Sequence, residues 1–141
     1  MSKLRENSRA VKIVLYTDGA SRGNPGKSAI GIVIADASGK VIHELGEAIG
    51  NATNNEAEYR ALVRGLERAK HYGSEIEIRT DSELLARQLK GLYKVRADNL
   101  KPLYAEAQRA LKHFRHVTIA IIPRTLNRRA DKLANEALDK K

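Results

Sequence analysis

Four acidic residues stand out for where they fall. Asp18 and Asp81 each follow a short apolar run rich in β-formers, Glu58 lies on the apolar side of a helical pattern, and Asp131 falls in the first turn of another. Carboxylates drawn from four distant segments repel one another and cost free energy to desolvate, so a fold that gathers them needs cations between them. The chemistry this predicts is that of a metal-dependent active site. The chain has no cysteine, which excludes disulfides, thiolate metal sites and cysteine nucleophiles together and leaves oxygen or imidazole to bind a metal. Taken singly, each acid also has a plain structural use. Asp18 before Gly19 suits a turn, Asp81 before Ser82 suits a helix cap, and Glu58 and Asp131 suit the positive end of a helix dipole.

The elements that must position these acids follow from hydrophobic period. Residues 12–17, KIVLYT, read as a buried strand that stops at Asp18-Gly19 and gives way to a glycine-rich loop. Residues 29–35 and 40–49 read as two further strands joined by a short polar turn, so the first three strands form an antiparallel meander. A helix is expected over residues 54–72, with Glu58, Leu62, Leu66 and Ala69 on one face and Gly73 available to end it. Residues 75–80, EIEIRT, form a strand, followed by a helix to about Leu89, a polar and basic link over residues 90–98, and a third helix marked by Leu100, Leu103, Ala107 and Leu111. Residues 117–122 make the last strand, and a final helix from about Asn127 turns Ala130, Leu133, Ala134 and Ala137 inward. The predicted fold is therefore α/β, a five-stranded mixed sheet with helices on both faces and the later strands parallel to the first. In such sheets ligands gather at the carboxyl ends of strands, where Asp18 and Asp81 fall.

At 141 residues the chain fits one domain, expected over 11–141 behind a polar tail at 1–10. The opening MSKLRENSRA lacks the apolar stretch of a secretory signal, and no window approaches a membrane span, so the expectation is a soluble, cytoplasmic monomer. A net charge of +9 attracts phosphate backbones. Few aromatic residues, 4% with no tryptophan, disfavour a platform for unpaired bases and favour a duplex.

The strings TDGASRGNPG, TNNEAEYRAL, TDSELL and NRRADKLANEAL, in that order and spacing, resemble the type 1 ribonucleases H from about Val11 to Leu138. The family's T-D-G and G-N-P-G correspond to Thr17-Asp18-Gly19 and Gly23-Asn24-Pro25-Gly26, and its T-N-N-x-x-E to Thr53-Asn54-Asn55 with Glu58. Its T-D-S corresponds to Thr80-Asp81-Ser82, and its last motif to Asn127 followed by Ala130-Asp131. The helical face independently selects Glu58 over its neighbour Glu56, which is expected to point outward. The resemblance implies a ribonuclease H-like fold and an endonuclease that cleaves the RNA strand of an RNA/DNA hybrid, leaving 5′-phosphate and 3′-hydroxyl ends. It also implies two Mg²⁺ ions, replaceable by Mn²⁺, held by Asp18, Glu58, Asp81 and Asp131, with Asp18 bridging both. By the same similarity the Gly19 backbone and the amides of Asn24, Asn54 and Asn55 detect the RNA 2′-hydroxyl, and Thr53 forms part of a pocket for a DNA-strand phosphate.

Two departures from the family matter. Many members carry a histidine in a loop shortly before the last aspartate, whereas residues 123–126 here read Pro-Arg-Thr-Leu, leaving Arg124 as a candidate for a substrate phosphate. His113 and His116 precede the last strand and are expected at the opposite end of the sheet. The link over 90–98 is also too short for the family's basic handle helix, although Lys90, Lys94, Arg96 and Lys101 offer phosphate contacts. A different nuclease of the same superfold, such as a junction resolvase or transposase core, and a catalytically silent nucleic-acid binder stay open beside the hybrid-specific nuclease.

Overall fold

The computed structural model describes residues 11–140, so the polar tail at 1–10 lies outside the described residues. Five strands form one sheet: β1 Lys12–Gly23, β2 Gly26–Asp36, β3 Val41–Ala52, β4 Glu75–Thr80 and β5 His116–Ile121. Their spatial order is β3-β2-β1-β4-β5, antiparallel across the first three and parallel from β1 through β4 to β5. The helices are α1 Asn54–Ala69, α2 Glu83–Leu89, α3 Lys101–Leu111 and α4 Arg128–Asp139, with a short 3₁₀ turn at Arg124–Leu126.

Alternation along the strands assigns the two faces. Ile13 and Leu15 of β1, Ile30, Ile32 and Ile34 of β2, and Ile76 and Ile78 of β4 pack with Leu62 and Leu66 of α1, Leu85 and Leu89 of α2, and Ala107 of α3 in one core. The other face takes α4 alone, where Ala29 meets Ala137 and Leu138. Glycines let this helix approach. A Cβ on Gly31 would collide with the Ala130 carbonyl, and one on Gly46 would stand 2.5 Å from the Leu133 carbonyl oxygen.

Three expectations change on folding. First, β1 does not stop at Asp18: it runs on to Gly23, paired with β2 down to Gly23↔Gly26, and the glycine-rich stretch is the far half of a long hairpin. Its parallel pairing with β4 does stop early, at Tyr16↔Arg79, so Asp18 still lies beyond the last parallel pair. Second, α1 ends at Ala69, earlier than Gly73; that glycine is needed because a Cβ there would stand 2.6 Å from the Val11 carbonyl oxygen. Third, Glu56 does not point freely outward. Its Oε1 accepts from the Thr53 N–H at 2.7 Å while Thr53 Oγ1 accepts from the Glu56 N–H at 3.1 Å, a capping box that starts α1.

Candidate active site

Past Tyr16 and Arg79 the strands β1 and β4 part, and the site forms at that fork. Asp18 is on β1, on the face opposite Leu15 and Thr17, and is 6% exposed. Asp81 directly follows β4; Ser82, not Asp81, caps α2, its Oγ accepting from the Leu85 N–H at 3.2 Å. Glu58 comes from the second turn of α1, reached because Gly19 has no side chain: a Cβ there would stand 2.5 Å from the Ala57 carbonyl carbon. That approach brings the Gly19 N–H to Glu58 Oε1 at 3.1 Å.

Carboxylate oxygens of Asp18, Glu58 and Asp81 all lie within 4.8 Å of one another. Asp131, in the first turn of α4, is not part of that trio but stands near enough to Asp18 to raise its pKa. It is steadied by Asn135, whose Nδ2 donates to Asp131 Oδ1 at 3.2 Å. Three of the four acids therefore meet at one fork, and Asp131 stands beside Asp18 at its edge.

The electrostatics express the crowding. Burial, then the Glu58 charge and the hydrogen bond that protonated Asp18 gives to Asp131, then the Asp81 and Asp131 charges push the Asp18 carboxyl up to about 9. Glu58 is pushed up to about 8, by burial first and by Asp81 next, against the lowering effects of the Gly19 N–H and of Arg124. Such a cluster is poorly compensated by protein groups alone, and its all-oxygen donor set fits hard divalent cations.

Around the acids, Asn54, Asn55, Glu58, Asp81, Ser82, Ile122, Pro123 and Arg124 line an open cleft of about 430 Å³. Asn24, at the tip of the β1–β2 hairpin, accepts the Asn54 N–H on Oδ1 at 2.9 Å, which leaves its Nδ2 group for a ligand. Thr53 Oγ1 accepts in the cap of α1, which leaves its hydroxyl hydrogen to donate elsewhere. Arg124 stands where the family's histidine loop would be, close enough to Glu58 to lower its pKa. His116 pairs with Glu75 and Ile121 with Thr80, which puts His113 and His116 at the far end of the parallel strands, as expected. Residues 90–100 join α2 to α3 without an intervening helix. No described helix is long and apolar enough to cross a membrane.

Sequence reasoning gave Asn127 no role beyond a motif position. The residue is buried, and its Nδ2 donates to the Thr17 carbonyl at 2.9 Å and to Asp81 Oδ2 at 3.1 Å. An asparagine one position ahead of a helix normally reads as a cap, and nothing in the residue order distinguishes that use from this one.

Comparison with known proteins agrees with this geometry. Residues 16–137 match the Reverse transcriptase-like family. Ribonuclease HI of Halobacterium salinarum is 45% identical over 132 residues, which cover 93% of this chain and 66% of that protein. The bifunctional protein Rv2228c of Mycobacterium tuberculosis is 44% identical over 92% of this chain, which spans 36% of its length. Among solved structures, RNase H1 of Halobacterium salinarum superposes with a TM-score of 0.88 over 91% of this chain and 98% of that one. LC11-RNase H1, solved in complex with an RNA/DNA hybrid, is 44% identical with a TM-score of 0.86 over 90% of this chain and 96% of its own. On these matches, and on the acids that meet at the β1–β4 fork, the chain belongs to the type 1 ribonuclease H family.

Proposed function

We propose that residues 11–141 form a catalytic domain that hydrolyses the RNA strand of RNA/DNA hybrids, leaving 5′-phosphate and 3′-hydroxyl ends. The observation that carries this reading is the convergence of Asp18, Glu58 and Asp81 oxygens within 4.8 Å, with Asp131 near enough to raise the Asp18 pKa, beside a cleft lined with amides. Two Mg²⁺ ions, or Mn²⁺ in their place, would be held by these four acids and would supply activation of the attacking water and charge stabilisation at the departing 3′ oxygen. Asp18, whose pKa the other three acids all raise, would bridge the pair.

The remaining groups orient the duplex. Asn24, Asn54 and Asn55 offer donors and acceptors together, as a ribose 2′-hydroxyl requires, and the hairpin at Gly19 brings backbone into the shallow groove. Thr53 at the start of α1 is the candidate for a DNA-strand phosphate, and Arg124 for a phosphate near the scissile bond. The hybrid complex of LC11-RNase H1 supports the choice of duplex. A cytoplasmic monomer is the form we assign, in keeping with a net charge of +9, which favours solubility over self-association.

Matched RNA/DNA, RNA/RNA and DNA/DNA duplexes incubated with Mg²⁺ provide the test. Cleavage confined to the RNA strand of the hybrid is expected. Equal cutting of all three duplexes, or of DNA/DNA alone, would reassign the protein to another nuclease of the superfold, and no cutting with intact hybrid binding would make it a binder.

A further inference from the structure

The strand that carries Asp18 and the end that carries Asp81 are tied together by a side chain that is not itself one of the four acids. Parallel pairing between β1 and β4 ends at Tyr16↔Arg79, so one residue further along, at the fork, the Thr17 carbonyl has no β4 partner. Asn127 fills that gap. The residue is 1% exposed, and Nδ2 donates to both the Thr17 carbonyl, at 2.9 Å, and Asp81 Oδ2, at 3.1 Å. An amide nitrogen carries two hydrogens, so both are committed.

Three consequences follow from one residue. The bond to Thr17 fixes the backbone immediately before Asp18. The bond to Asp81 fixes that carboxylate's orientation and leaves Oδ1 for a cation. The Asn127 main-chain carbonyl also accepts the Asp131 N–H at 3.1 Å, which places the fourth acid. The side chain does not cap α4, the ordinary use of asparagine there, and its Oδ1 is buried without a partner. A residue kept only to start the helix would have no reason to leave that oxygen unsatisfied.

We infer that Asn127 is a positioning residue that sets the spacing of Asp18 and Asp81 for divalent-cation binding. The inference rests on reading the four acids as a metal site. Asn127→Ala removes both donors; Asn127→Asp keeps the size, removes the donors and sets a further carboxylate against Asp81. Calorimetric titration of the free enzyme with Mn²⁺ should show each variant binding at least about tenfold more weakly than the parent. In cleavage assays at fixed metal, kcat should fall while KM for the hybrid stays within about twofold, and added Mn²⁺ should restore much of the Asn127→Ala rate. A purely structural role would lower Tm without moving metal affinity. Folded variants that bind Mn²⁺ within about twofold of the parent overturn the inference, and so does failure of both variants to fold. Parent behaviour separates the two levels. A parent that takes up no Mn²⁺ removes the metal-site reading itself, whereas a parent that binds Mn²⁺ but spares hybrids removes only the substrate assignment.

Discussion

At Asp18, burial and neighbouring charge act in one direction. The folded protein holds this carboxyl up to about 9, while an unfolded aspartate titrates at about 3.9. The native state therefore binds the proton more tightly, and the associated stability is fully present below about pH 4 and lost as pH rises through about 9. Glu58 acts the same way, with its loss centred on about 8. Metal-free protein should thus weaken steadily from acid to alkaline solution, and a divalent cation should reverse the trend by binding the ionised native cluster. Asp18→Asn removes the titrating group along with the cation ligand. Cleavage should disappear, hybrid binding should stay within about twofold, and the metal-free Tm near pH 9 should rise by roughly 3–10 °C, equivalent to about 1–3 kcal/mol. Thermal melts of parent and variant at several pH values, with and without Mn²⁺, measure this directly. An unchanged Tm at alkaline pH would mean that Asp18 is not held against its neighbours' charge.

At the scale of elements, the site depends on two helices pressed onto the sheet at glycines, α1 at Gly19 and α4 at Gly31. Gly31→Ala drives a methyl group into the Ala130 carbonyl, and since backbone cannot yield as a side-chain tip can, α4 must lift and carry Asp131 with it. We expect a loss of about 1–3 kcal/mol in stability and a fall in cleavage rate of at least about tenfold. Denaturant melts alongside rate measurements check both, and a fully active, equally stable variant would show that α4 is not held at this distance. Helical and strand periods made these elements legible, since apolar spacing reports which face is buried, and the face of α1 pointed to Glu58, whose carboxylate lies near Asp18 and Asp81, over Glu56. Strand length was less legible. Ala20, Ser21 and Arg22 carry no strong strand signal, and β1 reaches Gly23 because β2 pairs with it residue by residue, an interaction between segments that local composition does not encode. The capping box at Thr53 and Glu56 is written in the order T-x-x-E and agrees with the helix expected from Asn54, although the same residues also belong to the T-N-N-x-x-E string. Asn127 was hidden for a different reason: its partners are 110 and 46 residues away.

Across the whole molecule, a net charge of +9 surrounds a cluster of four acids. A polyanion is therefore attracted to the protein but repelled at its centre until cations bind there, so association and cleavage separate into two electrostatic problems. The link between α2 and α3 bears on the first. Seven residues of α2 at about 1.5 Å rise each set Lys90 roughly 10 Å from the start of that helix at the cleft, within about half a turn of a bound duplex. Lys90, Lys94 and Arg96 on this link are all exposed, and no ion pair among the described residues engages them, whereas Lys101 is paired with Asp98 at 3.2 Å. Neutralising Lys90, Lys94 and Arg96 to Gln should weaken hybrid binding and reduce the slope of log affinity against log salt by about 2–3, since each phosphate contact contributes about 0.7–0.9. Rate at saturating hybrid should hold within about twofold, because none of the three touches the acids. Binding titrations at several salt concentrations decide the matter. An unaltered slope would remove the link from the interface and leave the rest of the basic surface to supply the attraction, whereas a lost maximal rate would mean that the link positions the scissile bond as well as holding the duplex.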